Sequence, residues 1–500
     1  MESNHVLISR IRLEPGWKSL LILCSIVVGI RLIFTGIMGI MPQDAYYYFY
    51  ATHLDLSYYD HPPMIAYMLR FFTGLFGKYV WVIKLADTIT TGLSVFAFYR
   101  LAKKFVSERK ALIAAALLLS TLMVSILSLV STPDIPLIFC WILSLNFLYE
   151  AVWTKKNIYW IWAGIMTGLS FDSKYTGIFI IIGVIGFLII AKPYRKLLFS
   201  VWFLLYLFCF AATILPVVIW NMRNHFASFK FQSEGRVKEG IQFDPSGFAG
   251  VLGHQSALLL PLLFFSLVYF IYRFFKKYGF RFARIAEDQL FLLCFFIPLF
   301  LGFFTLSFFY WVKINWMIPA YITGIIWVCR FWNKNWLRYQ LIISVIVHLA
   351  MAAEIIFYIV PIRSDDTWFG WQEFSVKIES VRKEYPDAFI FSSDDYKTSA
   401  VLNFYLNEMV YSKNVVGEKA LQFDFVGTDL KLLNGKDAIF IDSNPRFSDL
   451  ENENKHIPPF YYAYFDQIIP LKPVLIEKNG KVERKFSLFL CKNYHFKTGV

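Results

Sequence analysis

Residues 41–77 read MPQDAYYYFYATHLDLSYYDHPPMIAYMLRFFTGLFG. The stretch follows a long apolar run, yet it is too polar and aromatic to be a membrane span. It holds Asp44, the tyrosines 46, 47, 48 and 50, then Asp60-His61-Pro62-Pro63, and closes on Gly74 and Gly77. A simple connector between two spans is normally shorter and less aromatic. The segment therefore reads as a first outer loop (41–78) that carries a site on a membrane scaffold.

Working outward, apolar runs recur through the first three quarters of the 500 residues. The chain is 57% hydrophobic and 17% charged, against roughly 25% charged in soluble domains. A span needs about 20 apolar residues. That ruler places spans near 18–40, 79–101, 111–130, 135–153, 158–171, 175–191, 197–220, 249–272, 289–309, 314–329 and 339–361, about eleven in all. The expectation is a polytopic α-helical membrane protein whose transmembrane domain covers 1–361.

The net charge of +13 argues for topology rather than for nucleic acid. The cations lie in alternate short loops, among them Lys103, Lys104, Arg109 and Lys110, then Lys192, Arg195 and Lys196, then Arg330, Lys334 and Arg338. With Arg10, Arg12 and Lys18 these mark the cytoplasmic side. Loop 41–78, Ser131-Thr132-Pro133-Asp134, Phe171-Asp172-Ser173-Lys174-Tyr175, loop 221–248 and the turn at 311–316 then share the outer face. Five of the six cysteines sit in apolar runs, with no disulfide or metal pattern. From 362 the composition changes: strand-length runs AFIFSS, DAIFID and FSLFLC alternate with helical patterns at 371–384 and 396–407. This is the pattern of a small α/β domain, 362–500, outside the membrane. It holds no glycine-rich phosphate loop.

Asp44 and Asp134 stand at span ends on one face, where paired carboxylates can supply a base or hold a divalent cation, with His61 a further ligand. Each has a bland reading, that of a solvated acid at a helix end. The tyrosine cluster likewise reads first as an interfacial aromatic belt and only second as a substrate platform. Lys174, between two short apolar segments, and the cations of 221–248, Arg236 among them, point to an anionic partner such as a lipid phosphate.

These residues resemble the GT-C glycosyltransferases, in the branch of the protein O-mannosyltransferases and the lipid A aminoarabinose transferase. The resemblance rests on Asp44-Ala45-Tyr46-Tyr47, Asp60-His61-Pro62-Pro63 and Ser131 through Leu137. Residues 164–175 (GIMTGLSFDSKY), Asn315-Trp316 with Pro319-Ala320-Tyr321, and 396–405 with Leu421-Gln422-Phe423-Asp424 extend it along the chain. The resemblance implies a GT-C fold and an enzyme that moves one sugar from a polyprenyl-phosphate donor to a lipid, glycan or protein acceptor, in a bacterial inner membrane. It implies Asp44 as catalytic acid-base, Asp134 as its partner, and Lys174, with Arg236, at the donor phosphate. His61, Tyr47 and Tyr175 are carried over as substrate contacts. His61 stands where aminoarabinose transferases carry a lysine, and Ala45 where many relatives have a second acid. A transporter or flippase of lipid-linked sugars is the alternative. It predicts ionisable residues at mid-span, for which Asp87 and Glu354 are the candidates.

Overall fold

The structure is a computed structural model that describes residues 15–233, 243–279, 281–362, 364–443 and 457–497. Helix α1 (Pro15–Ile37) is followed by two short helices, α2 (Pro42–Thr52) and α3 (Met64–Phe76), inside the loop read from sequence. Then come α4 (Val80–Phe105), α5 (Glu108–Leu119), α6 (Leu122–Leu129), α7 (Asp134–Trp153), α8 (Ile158–Ser173), α9 (Phe179–Ile190), α10 (Val201–Arg223) and α11 (Ala227–Ser233). The membrane part closes with α12 (Pro245–Leu259), α13 (Pro261–Tyr278), α14 (Glu287–Leu306), α15 (Ile318–Val328) and α16 (Lys334–Phe357).

Among the described residues five helices are long and apolar enough to span, or eight if each of three bent pairs counts once. The expected eleven are not reached, for two physical reasons. Some apolar runs are broken. At 111–130, Ser120 and Thr121 turn their hydroxyls onto the carbonyls of Leu117 (2.7 Å) and Leu118 (2.6 Å), and α5 and α6 meet at 61°. At 249–272, Pro261 excludes helical backbone at Leu260, whose φ is 65°, and α12 and α13 meet at 116°. Other runs are short. The 16 residues of α8 rise about 24 Å, less than the roughly 30 Å hydrocarbon layer.

After the helices, α17 (Trp371–Glu384) and α18 (Lys397–Leu406) accompany β1 (Phe389–Ser392), β2 (Val410–Tyr411), β3 (Ala438–Asp442), β4 (Phe465–Lys478) and β5 (Lys481–Tyr494). The sheet order is β2-β1-β3-β5-β4, parallel on the β1 side and antiparallel from β3 to β4. The three strand runs and both helices read from the sequence are present. Edge strand β4 carries Pro470 and Pro473, which blunt its free backbone against pairing with another chain.

The tail does not stand apart from the first loop. One buried cluster joins Tyr46, Phe49, Tyr50 and Tyr58 to Trp371, Phe374, Phe404 and Phe423. Tyr46 lies against Tyr396 with ring centroids 4.3 Å apart, and Phe49 stacks on Phe423 at 4.6 Å. This corrects the aromatic-belt expectation. The tyrosines face protein, because α2 is roofed by the tail domain, and they form the joint between the two parts.

Candidate active site

Two buried lysine–carboxylate pairs organise the end of the bundle beneath the tail. The first begins on α4, where Lys84, Thr88 and Thr91 fall on one face by helical spacing. Helix α6 stops at Leu129 and leaves its last carbonyls without intrahelical partners. Thr91 donates to the Leu127 carbonyl (3.0 Å), Thr88 to that of Ser128 (2.9 Å), and Lys84 to that of Leu129. The ammonium is also favoured at this negative helix end. It bonds Asp44 as well, in the first turn of α2, and both side chains are fully buried. Asp44 accepts further from the Met41 amide (2.8 Å) and the Ser131 amide (2.8 Å). Ser131 in turn donates to Asp87 at 2.7 Å.

The second pair joins Lys174 and Asp134. Gly164 and Gly168, one turn apart on α8, admit the Tyr206 carbonyl and Thr213 of α10 where any Cβ would collide. That close packing fixes the end of α8, and Lys174 follows as its C-cap residue. Its ammonium donates to both Asp134 oxygens, at 2.8 and 3.0 Å, and Asn315 adds a third donor at 2.7 Å. Asp134 opens α7, at the helix end that favours a carboxylate.

Between these pairs and the tail lies a cavity of about 860 Å³. Tyr47, His61, Lys174 and Tyr175 line it, so four of the residues named from sequence, from motifs far apart in the chain, share one wall. Tyr47 and His61 meet edge-on at 6.0 Å, and the Tyr175 hydroxyl bonds Ser228 at 2.6 Å. Asp44 and Asp134 lie behind that wall. Each acid bonds its own lysine, Asp44 to Lys84 and Asp134 to Lys174. Arg236 falls outside the described residues, as do Lys238, Arg10 and Arg12.

The tail contributes directly. Asp366 and Tyr396 line the cavity, and Asp366 accepts from Gln43 (2.8 Å) and Lys397 (3.0 Å). The segment carrying Asp366 is anchored by Asp365, which pairs with Arg484 at 3.0 Å and accepts from Ser443 at 3.1 Å. Burial pushes the Asp365 carboxyl up to about 6, against the pull of Arg484. Burial likewise raises the Tyr396 hydroxyl. Asp60 is buried too and accepts from Tyr46 (3.1 Å) and Tyr50, so this acid of the loop ties α2 to the Asp60-His61-Pro62-Pro63 turn.

A divalent cation at Asp44 and His61, left open by the sequence, would have to displace donors that Asp44 already holds. Both Asp44 oxygens already accept, and among the described residues no group of three or more His, Cys, Asp or Glu is gathered to hold a metal. Lys84, Gln43 and Asp366 were missed from sequence. For Lys84 the signal was present, as a lysine inside an otherwise apolar span. The mid-span candidates of the transporter reading also resolve locally. Asp87 belongs to the Asp44 network, and Glu354 accepts from the Ile359 and Val360 amides (3.0 Å each) just beyond the end of α16.

Residues 60–220 match the family model described as dolichyl-phosphate-mannose-protein mannosyltransferase. The chain is 25% identical over 328 residues to the lipid A galacturonosyltransferase RgtD of Rhizobium johnstonii, an alignment covering 63% of this chain and 66% of that protein. It is 27% identical over 144 residues to the putative mannosyltransferase YycA of Bacillus subtilis, covering 28% of this chain and 21% of the relative. In fold it is similar to ArnT from Cupriavidus metallidurans bound to undecaprenyl phosphate, with a TM-score of 0.58 at 13% identity over 95% of this chain and 98% of that one. The chain is thus an integral membrane protein of GT-C fold. Over residues 60–220 its sequence is similar to the dolichyl-phosphate-mannose-protein mannosyltransferases.

Proposed function

We propose that this chain is an integral-membrane glycosyltransferase that moves a single hexosyl or pentosyl unit from a polyprenyl-phosphate donor to a lipid, glycan or protein acceptor, with inversion. The reaction is placed at the outer face of a bacterial inner membrane, with the tail domain (362–500) outside the cytoplasm over the transmembrane domain (1–361). The observation that carries the reading is the cavity in which Lys174, steadied by Asp134 and Asn315, meets Tyr47, His61 and Tyr175.

Outside the cytoplasm there is no nucleotide-sugar pool, so an activated sugar arrives on a lipid. When the bond from the anomeric carbon to the phosphate oxygen breaks, the departing phosphate gains negative charge. A fixed ammonium in a water-poor recess stabilises that charge far better than one in bulk water. Lys174 is assigned to this role, and Arg236 is kept as a second candidate for it. Exposed Phe309, Trp311 and Ile314 give the neighbouring turn an apolar edge along which an isoprenoid chain can lie. Asp44 is assigned to the proton of an attacking hydroxyl, which requires one of its present donors to give way. For an acceptor that is already an anion no base is needed, and Asp44 then orients the first loop.

The test is transfer of label from polyprenyl-phosphate sugars in membranes containing equal amounts of folded wild type and Asp44→Asn. Transfer by wild type that is lost in the variant supports the assignment. Wild-type rates in the variant remove Asp44 from the chemistry.

A further inference from the structure

A second hollow, about 640 Å³, opens where the membrane helices meet the tail on the other side of the 39–43 segment. Its floor is apolar and belongs to the bundle: Ile37 at the end of α1 and Ile355 and Ile356 near the end of α16. That floor continues outward into an exposed apolar band, with Ile37, Ile356, Phe357, Ile359 and Val360 each between 43% and 65% exposed. Residues so placed at the ends of spanning helices border lipid chains.

The roof is polar and belongs to the tail. Lys377 bonds Glu373 (2.6 Å) and the Leu475 carbonyl (2.7 Å), so its charge is balanced within the roof. Lys478 has no carboxylate within ion-pair reach among the described residues. It sits over the rings of Tyr358 and Phe369, with centroids 5.3 and 5.4 Å away. A cation is therefore held on an aromatic seat in the same groove as the apolar ends of α1 and α16. Gly39 lets the Trp368 carbonyl come within 2.7 Å of where a Cβ would stand, so the chain after α1 closes tightly on the tail within the groove. The groove is separate from the sugar cavity.

We propose that this groove binds the phosphate headgroup of one anionic membrane phospholipid, with Lys478 meeting the phosphate and the acyl chains lying on Ile37, Ile355 and Ile356. The bound lipid bridges α1 and α16 to the tail domain and so braces the roof of the active site. The inference does not depend on the transferase reading.

The experiment places the full chain in nanodiscs of phosphatidylcholine and phosphatidylglycerol, extracts it, and counts retained lipids by native mass spectrometry. Wild type is expected to retain one phosphatidylglycerol with a preference of about five-fold over phosphatidylcholine, the size expected for one lysine near an anionic surface. Lys478→Glu abolishes the preference, Lys478→Arg keeps it, and Lys431→Glu, an exposed charge elsewhere on the tail, leaves it unchanged. Thermal unfolding in pure phosphatidylcholine confirms that each variant is folded. Equal retention of both lipids by wild type, or an unaltered preference in Lys478→Glu, overturns the proposal. Displacement of the lipid by millimolar glycerol phosphate overturns it too, since it assigns the site to a free anion.

Discussion

Lys84–Asp44 and Lys174–Asp134 are the same two side-chain types in two settings. The first pair is sealed on every side, with both partners fully buried. The second opens on the cavity through its lysine, which keeps 8% of its side-chain surface against 1% for Asp134. A sealed ion pair does little net work for stability, since the cost of drying two charges offsets their attraction, but it punishes the loss of either partner. An ammonium facing a cavity keeps one side free for a ligand. The contrast separates a closed pair, which braces α2, α4 and the end of α6 and must open before Asp44 can meet a substrate hydroxyl, from a pair whose ammonium already faces the cavity.

Breaking the sealed pair has the largest expected effect. Lys84→Met leaves a buried carboxylate uncompensated, which costs about 3–5 kcal/mol and is read as a fall in thermal stability and in folded yield. Adding Asp44→Asn to the same chain is expected to recover part of that loss. Recovery of none makes Lys84 act through the α6 carbonyls alone.

The cavity pair responds in rate as well as in fold. Lys174→Ala is expected to lower transfer per folded molecule by roughly 10²–10³, the usual cost of losing one charge-stabilising donor, and also to lower the melting temperature, because buried Asp134 keeps only Asn315 as donor. A third contact sharpens the comparison within the first loop. Tyr50→Phe removes a donor to the buried Asp60, a loss of about 1.5–3 kcal/mol measurable by thermal unfolding.

The tail supplies the smallest effect, with a defined sign. Folded Asp365 holds its proton up to about pH 6, whereas the unfolded carboxyl loses it near 4. The folded state therefore binds more protons between these values, and stability from this group falls as pH rises through about 4–6. The melting temperature of wild type is expected to drop relative to Asp365→Asn across that window. A constant difference contradicts the assignment.

Much of this was legible in the chain because it is written locally. Asp44, Asp134 and Lys174 stand in short motifs, and the strands β1 and β3 and the helices α17 and α18 follow from alternation and period. What was missed depends on contacts between distant segments. The tyrosines of α2 have the composition of a membrane belt, and only the tail packed over them, through Tyr396 and Phe423, shows otherwise. The pairing of the acids was likewise open, since sequence order sets Asp44 beside Asp134 as readily as beside Lys84. The bend at Pro261 was visible as a residue, but hydropathy ran straight through it.

The most direct measurement compares transfer per folded molecule for wild type, Lys174→Ala and Lys84→Arg in one membrane preparation with the active donor. Lys84→Arg, which keeps the sealed charge, is expected to stay within a few-fold of wild type, while Lys174→Ala falls at least about a hundred-fold. Transfer at the wild-type rate by well-folded Lys174→Ala would contradict the division between the closed pair and the cavity-facing one.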